Sequence, residues 1–195
     1  MVNHKKHTHY INKVMEVFRT DGLRLSLDEL ADKMGVSRKT LYNHFESKDA
    51  LLGAFIHSWM TDMKHTLEAA FNHSSDTKAN LLGAFEAVDA LFSDMTPIFL
   101  FDLKKMYPQF SGDEHVLGSG FFKEALKNNL QKGVAEGVYR RDLDTEFMSD
   151  YLTFTTFAYY FNKMTTNTGV TMNGFFKNSM AFHLRALVPG EATNH

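Results

Sequence analysis

The amino-acid sequence predicts an all-α protein of about nine helices, with a small three-helix unit at the N-terminus and a larger helical body behind it. Three observations carry this expectation. Only three prolines interrupt the 195 residues; apolar side chains recur at spacings of three and four along most of the chain; and Ser, Thr or Asp stands in capping position ahead of one apolar stretch after another. The 18 Phe point to an aromatic interior, and the scarcity of turn clusters argues against an all-β architecture.

The elements follow in order. In residues 8–20, Ile11, Val14, Met15 and Phe18 form the stripe of an amphipathic helix, which Gly22 ends. Ser26 and Glu29 make a capping box for a second helix of about two turns, with Leu27, Leu30, Ala31 and Met34 inward and Gly35 at its end. Ser37 caps a third, SRKTLYNHF, which Leu41 and Phe45 anchor from one side. Ser47 caps a fourth that runs to about Phe71, roughly 36 Å at the helical rise. Asp76 or Thr77 opens a fifth that reaches about Asp94. Thr96 and Pro97 open a sixth that ends near Tyr107, before a turn over 108–112. Asp113 to about Gly137 reads as helix, weakened at Gly118 and Gly120. Two more span about 145–164 and 171–188, both apolar on nearly all sides. A helix apolar all round must be covered all round, which suggests that a second copy of the chain supplies the missing cover. Domain boundaries are expected at 1–47 and 48–195, with 48–71 as a connecting rod.

Composition narrows the class. Cysteine is absent, which removes disulfide frameworks, thiolate metal sites and thiol nucleophiles and fits a reducing, cytoplasmic setting. The longest apolar run, near Pro97 to Phe101, is far short of the ~20 residues a membrane span needs. No signal peptide is expected. The formal charge of -2 conceals a split, since residues 1–50 carry nine Lys/Arg against seven Asp/Glu. Residues 1–14 hold Lys5, Lys6, Lys13 and three His without an acid, an arm suited to lie near phosphates.

The chemistry concentrates in the second and third helices. A two-turn helix, a glycine turn and a short helix with a buried Leu and a polar outer face make a helix-turn-helix. Arg38, Lys39 and Thr40 stand at the N-terminal end of the second member, where side chains reach base edges in the major groove; Arg or Lys pairs with guanine O6 and N7. Tyr42, His44 and Lys48 suit phosphate contacts that position the protein.

The stretch YINKVMEVFRTDGLRLSLDELADKMGVSRKTLYNHFESKDALLGAF, residues 10–55, resembles the N-terminal domain of the TetR family of bacterial transcriptional regulators, and GVAEGVYRRDLD (133–144) is similar to the segment before the family's last two helices. The resemblance implies a helix-turn-helix DNA-binding domain joined to a helical ligand-binding and dimerisation domain, the last two helices forming a four-helix dimer interface. It also implies DNA contacts at Ser26, Arg38, Lys39, Thr40, Tyr42, Asn43, His44 and Lys48. Leu25 stands where many relatives carry a Thr that touches phosphate.

The expected function is therefore a ligand-responsive transcriptional regulator, a repressor released from double-stranded operator DNA by a small lipophilic or aromatic effector. Phe85, Phe92, Phe99, Met106, Phe121, Phe122, Phe154 and Tyr159 are the candidate cavity lining, with Asp89, Asp94, Asp102 and His115 as polar groups that orient a ligand. Candidates for a homodimer interface are Phe147, Tyr151, Ala158, Phe161, Met172, Phe176, Met180, His183 and Leu187. No cofactor, metal or membrane partner is expected. Catalysis finds no complete constellation: there is no HExxH, and His57, His65 and His73 recur at eight-residue intervals, ~12 Å apart along one helix and too far to share an ion. Ser119 lacks the strand and leading glycine of a nucleophile elbow. The alternative to a regulator is a helical interaction module whose helix-turn-helix no longer binds DNA.

Overall fold

The structure, a computed structural model, describes residues 4–93, 96–107, 119–163 and 172–189. These contain nine helices: α1 (His4–Asp21), α2 (Leu27–Met34), α3 (Arg38–Tyr42), α4 (Lys48–Phe71), α5 (Thr77–Ser93), α6 (Pro97–Met106), α7 (Ser119–Ala135), α8 (Thr145–Lys163) and α9 (Met172–Leu187). The expected turn over 108–112 and the helix start at Asp113 lie outside the described residues, as do Asp94, His115 and Gly118. Helix α1 begins earlier than the apolar stripe, so the basic arm from His4 onward is helical. None of the described helices is long and apolar enough to cross a membrane.

Capping residues set the helix starts. Ala50 N–H donates to Ser47 Oγ at 3.1 Å, Ala79 N–H to Asp76 Oδ1 at 2.9 Å and Phe147 N–H to Asp144 Oδ1 at 3.0 Å. Each satisfies an amide that has no partner within its own helix.

The described chain forms two compact units, divided within α4 after Met63. The first holds α1 to α3, the leading part of α4, and α6. It therefore extends past residue 47 and recruits a helix from later in the chain, because α6 packs on α1. Its core is built on Phe55, whose ring meets Phe18 edge-on at 6.2 Å and Phe99 at 5.5 Å. Phe99 was an expected cavity residue; it is fully buried in this core instead.

The second unit holds the rest of α4, α5 and α7 to α9. Phe122 is its hub, with Phe85 at 5.2 Å, Phe71 at 6.1 Å and Phe157 at 6.0 Å. Phe92 stacks on Tyr160 at 4.6 Å. Such pairs add about 0.5–1.5 kcal/mol each beyond their buried area. A polar knot ties the start of α5 to the end of α7: Asn129 Nδ2 donates to the Thr77 carbonyl at 3.0 Å, and the buried Tyr139 hydroxyl donates to Asn129 Oδ1 at 3.1 Å. Burial pushes the Tyr139 phenol well above its ordinary pKa. Gly133 makes room for that ring, since a Cβ there would lie 2.1 Å from Tyr139 Cδ2.

Candidate nucleic-acid interface

Helix α2 is closed at both ends. Glu29 N–H donates to Ser26 Oγ at 3.2 Å and Ser26 N–H donates to Glu29 Oε2 at 2.8 Å, the reciprocal cap expected. These bonds hold the Glu29 carboxyl below its usual range. Gly35 ends the helix at φ 66°, with its N–H on the Ala31 and Asp32 carbonyls. Ser37 then caps α3, accepting the Thr40 N–H at 3.1 Å. Leu41 is wholly buried and Phe45 nearly so, and this anchors the short helix by one side.

The opposite side stands open. Lys39, Tyr42 and Asn43 are exposed, Tyr42 by 51%. Arg38 is exposed too, and its Nη1 pairs with Asp28 Oδ2 at 3.0 Å, bridging α3 to α2. Four further residues expected at the DNA are engaged within the protein. The hydroxyl of Ser26 belongs to the capping box, and that of Thr40 shares a hydrogen bond with Ser37 Oγ at 2.7 Å. His44 is half-buried, its ring 4.5 Å from Tyr10. Lys48 is half-buried and its Nζ donates to the Leu23 carbonyl; burial lowers its pKa. For His44 and Lys48 the expectation of an open phosphate contact is corrected: one is a ring packed on α1, the other a brace for the corner between α1 and α2.

That corner has a second brace. Asp102 on α6 was expected to orient a ligand; its carboxylate is instead fully buried and accepts the Leu23 N–H at 3.0 Å and Arg24 Nε at 2.9 Å. The Thr96 hydroxyl, at the start of the same helix, donates to the Arg19 carbonyl. Gly22 turns the corner at φ 79° in close contact with Asp102 and Ile98. No local pattern announced this arrangement, because Asp102 and Arg24 are separated by 78 residues.

Residues 11–55, the segment that contains this motif, match the family model for bacterial regulatory proteins of the tetR family. The chain belongs to the TetR family of bacterial transcriptional regulators. This TetR-family chain is 22% identical over 152 residues to the HTH-type transcriptional repressor KstR2 of Rhodococcus jostii (strain RHA1), a stretch covering 75% of this chain and 74% of that one. Its fold is similar to the ketosteroid transcriptional regulator KstR2 of Mycobacterium tuberculosis, with a TM-score of 0.68, 15% identity, and coverage of 96% of this chain and 97% of that one. It is also similar to the fatty acid degradation regulator FadR of Bacillus halodurans, with a TM-score of 0.72, 16% identity and full coverage of both chains.

In the second unit of this TetR-family regulator, the aromatic residues expected to share one cavity are dispersed. Phe85, Phe92 and Phe122 are buried against one another as core. Phe154 is 73% exposed on α8. Phe85 and Tyr159, with Thr156, Met180 and His183, line a chamber of about 30 Å³, room for little more than one water. Phe121 is exposed and borders a separate cleft of about 350 Å³ between α4 and α7, floored by Leu67 and Phe71 and rimmed by Lys64, Glu124, Asn128 and Lys132. Met106 is exposed at the end of α6, in the first unit. Asp89 is engaged by the buried Tyr160 hydroxyl at 2.9 Å.

The candidate dimer residues divide as well. Phe147 and Tyr151 are exposed on α8, their rings stacked at 6.1 Å. Ala158 and His183 are half-buried, with the His183 ring 5.6 Å from Tyr151 and its pKa lowered by burial. Met180 and Leu187 are covered by their own chain and offer nothing to a second copy, a correction that follows from the packing of α9. The side chains of Phe161, Met172 and Phe176 lie outside the described residues. Phe182, 65% exposed on α9, and Phe154 on α8 extend the uncovered aromatic surface.

Proposed function

We propose that this regulator is a cytoplasmic homodimeric repressor that occupies a two-fold symmetric operator and is released by a small lipophilic or aromatic effector. One observation carries the reading: an open recognition face, Lys39, Tyr42 and Asn43 over buried Leu41, occurs in the same chain as an uncovered aromatic stripe, Phe147, Tyr151 and Phe154. Lys39 and Arg38 read bases, while Tyr42 and Asn43 contact the backbone. The stripe on α8, with Phe182 on α9, is where the second copy docks, and a dimer presents two recognition helices to half-sites ~34–36 Å apart.

Two further observations support the sign and the effector class. The relatives named above include a repressor, and two of the similar structures are named for ketosteroids and for fatty acid degradation. The cleft beside Phe121 has the ~300–1,000 Å³ volume of small-molecule sites and combines an apolar floor with a few polar rim groups. An effector seated there that binds one conformation better than the other draws the population away from the DNA-binding state.

A mobility shift on duplex from the region upstream of the chain's own coding sequence, at two salt concentrations and alongside sedimentation, tests the reading. The expected result is a dimer whose sequence-specific complex weakens with salt. A monomer at working concentration, or equal affinity for unrelated duplexes, counts against it and favours the interaction-module alternative.

A further inference from the structure

We infer that Asp102 on α6 is a positioning residue for operator binding: its buried carboxylate aims the Arg24 guanidinium as a contact to the DNA backbone. The inference rests on the operator-binding reading above and extends it to a helix outside residues 11–55, the segment that the family model matches.

The geometry at the α1–α2 corner carries it. Asp102 has no solvent exposure, and its two described partners are consecutive residues: Oδ2 accepts the Leu23 N–H at 3.0 Å and Oδ1 accepts Arg24 Nε at 2.9 Å. One carboxylate thus fixes both the backbone that leads into Arg24 and the base of its guanidinium. The Arg24 side chain is nevertheless 64% exposed, and no acceptor among the described residues meets its Nη1 or Nη2. A guanidinium held by Nε, with its outer N–H groups directed to solvent, is a planar fork prepared for oxygen ligands.

Position supplies the ligand. Arg24 stands two residues before Ser26, the cap of α2. The first helix of a helix-turn-helix crosses the DNA backbone, so groups at its leading end meet phosphate. Lys48 adds a second cation on the Leu23 carbonyl of the same corner. Stability alone is a weak reason for the arrangement, because a pair whose cationic member is this exposed is screened by solvent. An arginine whose aim is already set loses less side-chain freedom when it takes a phosphate.

The test uses the full chain and the duplex recovered by selection from a random library, with binding read by fluorescence anisotropy across a salt series. Arg24→Ala is expected to weaken binding about tenfold or more and to lower the slope of log K against log[salt] by about 0.9, the signature of one lost phosphate contact. Arg24→Lys, which keeps the charge and loses the fork, is expected to keep the slope and bind several-fold more weakly. Asp102→Asn still accepts the Leu23 N–H; it is expected to weaken binding in the wild-type background and to have no further effect in Arg24→Ala. A purely structural Asp102 would weaken binding equally in both backgrounds. That result, or a wild-type salt slope in Arg24→Ala, overturns the inference, and the second arm stands even where Asp102→Asn folds poorly. Lys39→Ala separates the two readings: if it weakens binding while Arg24→Ala does not, only the present inference falls, whereas failure to enrich any duplex removes the operator reading itself.

Discussion

Replacing Gly22 by Ala places a methyl group where the corner between α1 and α2 has no room for one. The added Cβ would lie 2.6 Å from Asp102 Oδ2 and 3.0 Å from Ile98 Cγ1, at a residue whose φ is 79°. Two costs are therefore combined, and Gly35 separates them. Gly35 has nearly the same backbone conformation, φ 66°, but a Cβ there meets nothing within 4 Å. Gly35→Ala carries the left-handed backbone cost alone, about 1–2 kcal/mol. Gly22→Ala carries the same cost and also displaces the Asp102 carboxylate from the buried Leu23 N–H, adding about 1–3 kcal/mol for a buried group left without its partner. The expected loss is about 2–5 kcal/mol for Gly22→Ala. Urea unfolding followed by circular dichroism reads it, with an unchanged m-value as the sign that only stability has moved. Gly22→Asn sharpens the comparison: Asn tolerates the left-handed region but still carries a Cβ, so it is expected to be nearly as damaging as Ala. Equal losses for Gly22→Ala and Gly35→Ala, within about 0.5 kcal/mol, would refute the claim that α6 is wedged against this corner.

Three further expectations concern reading, assembly and pH. Lys39→Ala should relax the preference at one base pair by about 1–3 kcal/mol, measured with single-base variants of the bound duplex; preference unchanged at every position would remove Lys39 from the recognition set. Phe154→Glu should cost each copy about 1.5–3 kcal/mol of apolar burial. Symmetry doubles this, so the dimer dissociation constant should rise by roughly 10² to 10⁴ by sedimentation, and an unchanged association state would place the interface elsewhere. His183 is held below the ordinary imidazole pKa of about 6.5 by burial. The unfolded chain therefore takes up its proton first as pH falls, and stability should decline below about pH 6.5 and level off below the folded pKa. His183→Gln should flatten that decline in urea midpoints measured across the window; an identical pH profile in the variant would contradict the assignment.

Much of the recognition motif was legible because its determinants are local. The Ser26–Glu29 box, the left-handed Gly35, the Ser37 cap and the buried Leu41 each involve residues within a few positions of one another, where side-chain type and spacing carry the information. The fate of the exterior was harder to read. Lys48 and His44 had the right chemistry for phosphate, yet whether a Lys reaches outward or turns to a carbonyl 25 residues away depends on tertiary placement. Asp102 is the extreme case, as its two partners lie 78 and 79 residues upstream. The aromatic residues failed for a different reason. Helices α5 and α8 are apolar around much of their circumference, so periodicity does not distinguish Phe92, stacked in the core, from Phe154, which faces solvent. Gly133 and Tyr139 sit six residues apart in one recognisable segment, but that the glycine exists to admit the ring became evident only from the close approach.

The first compact unit is not a continuous stretch of chain, since it takes in α6 after the intervening α5. Chimeric sensors are commonly imagined as a portable reading head grafted onto a foreign sensing body. Here a splice at residue 47, or even at 63, would leave behind the carboxylate that secures Leu23 and Arg24. A working graft has to carry 97–106 with it or rebuild an equivalent acid in the recipient, and a donor body whose sixth helix lacks an acid at this position is expected to yield a hybrid with a loosened corner and weakened operator grip.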